Sequence, residues 1–292
     1  MKKITTAILL FLVCLTVTAQ DITYQRVDSV KICQLLRNAT KTTSPVWFAR
    51  HFLDVPYVAH TLEVNDTEQL VVNTRQLDCT TFVETVTALV LCARQDKRSW
   101  TDYIDMLRTL RYRGGVLDGY TSRLHYFTDW IVDKTAMHLV EEIQTPNPPF
   151  YGWQHIKVNY MSFHPSGYKA LKAHPEWIPV IREQEEKLTG LTFRYIPKAA
   201  LQRDTKVLRD AIHDGDIIAI TCKKKGLDIA HLGFAVWRSD GLHLLNASQL
   251  HKKVVVEPMT MYQYFQKHPT HTGIRVIRII NYKKEIWNYL IS

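Results

Sequence analysis

The feature that most constrains this chain is a helical apolar stripe that begins on a cysteine. From Asp78-Cys79-Thr80-Thr81-Phe82-Val83 onward, apolar residues recur at Phe82, Val83, Val86, Leu89, Val90 and Ala93, the three-and-four spacing that lays one helix face on a core. Asp78 stands where an N-cap belongs, so Cys79 falls in the first turn. First-turn amides have no partner within the helix and carry partial positive charge, which is expected to stabilise a thiolate and lower its pKa. The same amides can hold a developing oxyanion. A cysteine in an apolar segment is more often a plain core residue. A nucleophile at Cys79 therefore requires a base and an orienting group elsewhere in the chain.

The chain has 292 residues and opens with Lys2 and Lys3, an apolar run from Ala7 to Val17, and the small-residue pattern Val17-Thr18-Ala19. This is the layout of a secretory signal peptide over residues 1–19. No later stretch approaches the roughly 20 apolar residues of a membrane-spanning helix. Residues 20–292 are thus expected to form one exported domain, periplasmic or associated with the cell envelope, without stable membrane insertion. The formal charge of +9 becomes +7 without Lys2 and Lys3 and is dispersed apart from Lys223-Lys224-Lys225, which reads as a solvated turn. A nucleic-acid partner would want a basic stripe interleaved with aromatics, so none is expected. A moderately basic surface suits an anionic wall polymer. Of the cysteines left after cleavage (Cys33, Cys79, Cys92 and Cys222), an unbroken helix holds Cys79 and Cys92 about 20 Å apart. That exceeds the roughly 7 Å a disulfide allows. Pairing of Cys79 with Cys33 or Cys222 stays open and would remove the nucleophile.

The period changes along the chain. Helical spacing marks Ser29 to Leu36, Trp100 to Leu110 and Ile178 to Leu188, with Arg113-Gly114-Gly115 as a stop. The last third instead carries short runs rich in Ile, Val and aromatics: 216–220, 229–237, 242–246, 254–256 and 274–280. These read as strands, with Ser239-Asp240-Gly241 as a hairpin turn. Helices first and antiparallel strands later imply an α+β architecture with the Cys79 helix packed on a sheet. His231 starts the strand Ala230-His231-Leu232-Gly233-Phe234, where alternation puts its ring on the side of Gly233 and Ala235, small residues expected to leave room for a site. Across the hairpin, Asn246 can bond the far ring nitrogen of His231 and set its tautomer. Cys79, His231 and Asn246 are therefore the candidate nucleophile, base and orienting group.

The order of these parts resembles that of the NlpC-type papain-like cell-wall cysteine hydrolases. Asp78-Cys79-Thr80-Thr81-Phe82-Val83 is similar to their Asp-Cys-Ser-Gly-Phe-Val motif, with Thr81 in place of glycine. Gly215-Asp216-Ile217-Ile218 resembles the Gly-Asp-Leu that opens their sheet. Ala230-His231-Leu232-Gly233-Phe234 resembles their Ser-His-Val-Gly-Ile strand, and Leu245-Asn246-Ala247-Ser248 resembles the strand with their third polar residue. The stretch Ser122-Arg123-Leu124-His125-Tyr126-Phe127-Thr128-Asp129-Trp130, with the long middle insertion, looks like the N-acetylmuramoyl-L-alanine amidase-like branch. The resemblance implies a papain-like fold with helical N-terminal and middle insertions. It also implies a peptidoglycan or muropeptide substrate cleaved between muramic acid and L-alanine. Cys79 would attack the amide, His231 would handle the protons, and neither metal nor cofactor would be needed. Arg123, His125 and Tyr126 become candidates for gripping substrate, through an Arg fork on a carboxylate and an aromatic face on a sugar ring. The alternatives are a D-glutamyl endopeptidase or a non-catalytic wall-binding protein on the same fold. A zinc amidase lacks its usual signature here, since no His-Glu-x-x-His occurs.

Overall fold

A computed structural model describes residues 22–280, so the expected signal peptide lies outside the described residues. The described chain begins with β1 (Ile22–Thr23), α1 (Arg26–Asn38), α2 (Pro45–Arg50) and β2 (Leu70–Val71). Three longer helices follow: α3 (Cys79–Arg94), α4 (Trp100–Arg111) and α5 (Phe127–Ala136). The middle holds β3 (Val140–Ile143), β4 (Gly152–His155), α6 (Tyr160–Phe163), α7 (Lys169–Ala173), α8 (Ile178–Leu188), β5 (Thr192–Pro197) and α9 (Lys206–Ala211). The last third comprises β6 (Ile217–Cys222), β7 (Ile229–Arg238), β8 (Gly241–Ser248), β9 (Lys253–Val256), α10 (Met261–Lys267) and β10 (His271–Ile279).

The result is a mixed α+β fold around one antiparallel sheet, ordered β4-β5-β10-β6-β7-β8-β9, with β3 also paired to β10. Strand alternation divides the core between its two faces. Leu232, Phe234 and Val236 of β7 join α3 in one cluster, while Ala235 joins Ile218, Leu244 and Phe265 in another. Phe82 meets Phe234 edge-on with ring centroids 5.6 Å apart, which seats the start of α3 on β7. Gly233 owes its identity to close approach: a Cβ there would lie 2.7 Å from the Leu245 carbonyl and 2.8 Å from the Leu244 side chain. The space beside Gly233 is therefore filled by the hairpin partner and does not form the expected opening.

Two further expectations are corrected. The α3 helix is buried all round from Thr81 to Ala93, because α1, α2 and α4 enclose the side that the sheet leaves. Strands also occur before the last third: β3, β4 and β5 are short and lie toward one side of the sheet, and β4 and β5 are half-exposed. Their sequences therefore lack the apolar density that marks β6 to β8. Between β4 and β5, α6 and α8 build a third cluster with Tyr120, Tyr126, Ile156, Val158 and Leu171.

Candidate active site

Asp78 caps α3 through a reciprocal box: its carboxylate accepts from the Thr81 amide at 2.8 Å, and the Thr81 hydroxyl accepts from the Asp78 amide at 2.9 Å. Thr81 thus serves the helix start, which gives a physical role to the residue that departs from glycine. Cys79 is the first residue of the helix and lines a small cavity of about 90 Å³ together with Leu124, His125, Trp130 and His231. The four cysteines Cys33, Cys79, Cys92 and Cys222 are free thiols.

His231 reaches this cavity from the start of β7. The β6–β7 register slips between Ile220 and Thr221, pairing Ile220 with His231 but Thr221 with Ile229. A bulge of this kind re-aims a strand side chain. The Nε2 of His231 lies 2.9 Å from the Oδ1 of Asn246 on β8. Asn246 is itself fixed, its Nδ2 donating to the carbonyls of Leu244 at 3.3 Å and Val255 at 3.5 Å. Because Oδ1 only accepts, Nε2 carries the proton and a neutral ring keeps its lone pair on Nδ1, which makes no hydrogen bond among the described residues.

The electrostatics correct one expectation. Burial, followed by the adjacent Asp78 carboxylate, pushes the Cys79 thiol up to about 12, although the Leu232 amide and the Thr80 hydroxyl favour the thiolate. Desolvation outweighs the first-turn amides. Burial likewise holds His231 below the ordinary imidazole value, against the opposing effect of Asn246. Both shifts favour a neutral thiol beside a neutral imidazole. An arrangement of this kind can move a proton from sulfur to nitrogen when a substrate carbonyl approaches.

The three candidate substrate contacts part company. His125 lines the cavity, with Nε2 donating to the Tyr120 carbonyl at 3.0 Å, and burial helped by Arg123 pulls its pKa down to about 3. Arg123 is buried, with its guanidinium 2.5 Å from Glu63, 3.6 Å from Glu68 and 4.9 Å above the Tyr120 ring. The Tyr126 hydroxyl donates to Glu185 at 2.7 Å and accepts from the Met161 amide at 3.0 Å, inside the third cluster. Arg123 and Tyr126 therefore serve packing, and neither lines the Cys79 cavity.

The family model for N-acetylmuramoyl-L-alanine amidase-like proteins, AmiA-like, matches residues 47–274, a span that contains Cys79, His231 and Asn246. The chain belongs to the N-acetylmuramoyl-L-alanine amidase-like family. Among solved structures, an N-acetylmuramoyl-L-alanine amidase from Bacteroides uniformis is 39% identical with a TM-score of 0.75, covering 85% of this chain and 99% of its own. A Bacteroides fragilis protein, provisionally described as a xylanase, is 40% identical with a TM-score of 0.74, covering 80% of this chain and 99% of its own. A Legionella pneumophila protein at 21% identity and a TM-score of 0.68, covering 86% and 94%, shares the fold. No curated protein matches the chain.

Two features near the candidate site escape sequence reasoning. Asp228, in the loop before β7, accepts at 2.7 Å from the Thr128 amide in the first turn of α5, clamping the Phe127 and Trp130 wall to the His231 strand. Across 100 residues no local pattern announces that contact. Tyr264, His268 and His271 form a ring stack, with the two imidazoles 5.0 Å apart and nearly parallel. Burial, followed by the electrostatic influence of the neighbouring His268 and His231 imidazoles, lowers His271 to about 4. The i, i+4 spacing of Tyr264 and His268 was the available signal.

Proposed function

We propose that the protein is an exported cysteine amidase that hydrolyses the amide between N-acetylmuramic acid and L-alanine in peptidoglycan or muropeptides, on an NlpC-type papain-like scaffold. In this reading residues 1–19 are a signal peptide and residues 20–292 one amidase domain. The observation that carries it is the Asn246-held His231, its Nδ1 unengaged, sharing a cavity with Cys79 at a helix start. As Cys79 Sγ attacks the lactyl carbonyl, His231 Nδ1 accepts the thiol proton and Asn246 steadies the imidazolium. The Cys79 amide, pointing out of the first turn, stabilises the oxyanion. His231 then protonates the departing alanine nitrogen, leaving a thioester that water hydrolyses with His231 as base. His125, neutral and lining the cavity, contacts substrate by hydrogen bonding or stacking.

The family membership and the Bacteroides uniformis amidase support this choice of bond. The xylanase description of the Bacteroides fragilis relative is less favoured, because glycoside hydrolysis ordinarily relies on two carboxyl groups flanking the bond. Among the described residues that line the Cys79 cavity, Asp228 is the one carboxylate, and it is engaged by Thr128. The test is incubation with a defined muropeptide and identification of the products by mass spectrometry. Release of a peptide with a free L-alanine amine, absent in Cys79→Ala and insensitive to a strong chelator, is expected. Cleavage at the D-glutamyl bond would replace the proposal with the endopeptidase reading.

A further inference from the structure

The Cys79 cavity, at about 90 Å³, is far smaller than the roughly 300–1,000 Å³ of typical ligand pockets. It has room for the reacting amide and little more. A second cleft of about 470 Å³ adjoins it, and Leu227 and Asp228 line both. This cleft is bounded by Lys157 and by Lys223, Lys224 and Lys225 of the β6–β7 loop, the loop that leads directly into the His231 strand. The lysine triplet is the solvated turn expected from the sequence, and it also forms one wall of a cleft.

The loop is held in place. Its Gly226 has φ +77°, its carbonyl accepts from the Asn159 and Tyr160 amides at 3.2 and 3.1 Å, and a Cβ on it would collide with Asn159 at 2.3 Å. Only glycine fits that backbone and that approach. Lys224 is steadied by the Tyr160 hydroxyl at 3.0 Å and sits 4.2 Å above the Tyr160 ring. Among the described residues, none of the four lysines forms an ion pair. Asp228, the one carboxylate among the described lining residues, is buried and held by the Thr128 amide. Four lysines against one carboxylate leave the cleft a net positive charge beside the reaction centre, which draws carboxylates.

We propose that this lysine cleft binds the carboxylates of the stem peptide, so that the peptide leaving group lies along the β6–β7 loop and the sugar lies on the opposite side of Cys79. The inference rests on the amidase reading, because the muramoyl side of the scissile bond contributes no free carboxylate once its lactyl group is in the amide. The stem peptide, in contrast, keeps its own carboxylates.

The experiment uses a tetrapeptide beginning L-alanyl-D-glutamate, the same peptide with its carboxylates amidated, and the muramoyl form of each. Calorimetric binding is measured in the Cys79→Ala protein with and without K223A/K225A, and kcat/KM in the active protein with and without the same pair. Removing two exposed cations is expected to weaken binding and kcat/KM for the acidic substrate roughly fivefold to thirtyfold. Amidating the peptide should cost a similar factor in the parent protein and little more in the double variant. The difference should shrink at high salt. Equal binding of acidic and amidated peptides by the parent, or an unchanged K223A/K225A protein, overturns the cleft assignment. Lysine-dependent peptide binding without any cleavage of the muramoyl substrate would leave the cleft standing and remove the amidase reading. Cleavage that ignores both carboxylates and lysines would do the reverse.

Discussion

Two polar clusters invite the same reading from the sequence, and the fold uses them in opposite ways. Cys79, His231 and Asn246 come from three distant points, yet Cys79 and His231 line one cavity and Asn246 holds the His231 ring. Arg123 and Tyr126 sit in one dense polar-aromatic run, and their polar groups are engaged by the carboxylates Glu63, Glu68 and Glu185. The Nδ1 of His231 makes no hydrogen bond among the described residues, whereas Arg123 and Tyr126 each have a carboxylate partner, although Arg123 Nε itself makes no hydrogen bond. Density of chemically able residues therefore discriminates poorly between the two. His125, between Arg123 and Tyr126, belongs to both clusters, since its Nε2 is anchored to Tyr120 while the ring lines the cavity.

The comparison breaks most sharply at Cys79. Cys79→Ala is expected to lower amide hydrolysis by about 10⁴-fold or more with an unchanged unfolding transition, and His231→Ala by roughly 10² to 10⁴-fold. A Cys79→Ala protein that keeps full activity would place the reaction elsewhere. Asn246→Ala removes one hydrogen bond to an imidazole that becomes charged, about 1.5 to 3 kcal/mol, so turnover should fall about tenfold to a hundredfold. A loss as large as that of His231→Ala would mean that Asn246 does more than orient the ring.

The pH profile sharpens the same contrast. His231 acts as a base only when neutral, and its pKa is lowered by burial, so the acidic limb of kcat/KM should fall below the ordinary imidazole value of about 6.5. An acidic limb above that value would contradict the buried, neutral ring. His125 has a stability signature as well. With a folded value of about 3 against an ordinary 6.5, the unfolded chain binds the extra proton first. Its contribution is thus complete above pH 6.5 and is lost as the pH falls toward 3. Urea midpoints across that window, compared with those of His125→Gln, measure it.

Arg123→Ala and Tyr126→Phe should change kcat/KM least, within about threefold for protein that remains folded. Their effect belongs to stability. Removing Arg123 strands the buried Glu68, whose pKa burial already raises, at a cost of about 3 to 5 kcal/mol. Tyr126→Phe leaves Glu185 and the Met161 amide with one partner fewer, about 1 to 2 kcal/mol. Denaturant titration separates these outcomes from kinetics. A large kinetic loss without destabilisation in either variant would return the pair to the substrate site.

Much of the fold was legible because it depends on local pattern. The period of Phe82 to Ala93, the cap at Asp78 and the apolar runs of β6 to β10 are short-range signals, and each became the expected element. The pairing of His231 with Asn246 was equally legible, since a hairpin turn at Ser239-Asp240 brings β8 back along β7. Tertiary structure decided the rest. Whether Arg123 faced a ligand depended on Glu63 and Glu68, about 60 residues earlier in the chain. Whether Cys79 rested as thiol or thiolate depended on how deeply the walls from α5 and β7 desolvate it. That the exposed Lys223-Lys224-Lys225 turn also walls a cleft depended on Asn159 and Tyr160 pinning Gly226. A sequence determines where hydrogen bonds repeat locally, because backbone periodicity is short-range. It leaves open which charges meet and how much water remains around them, because those depend on residues that only folding makes neighbours.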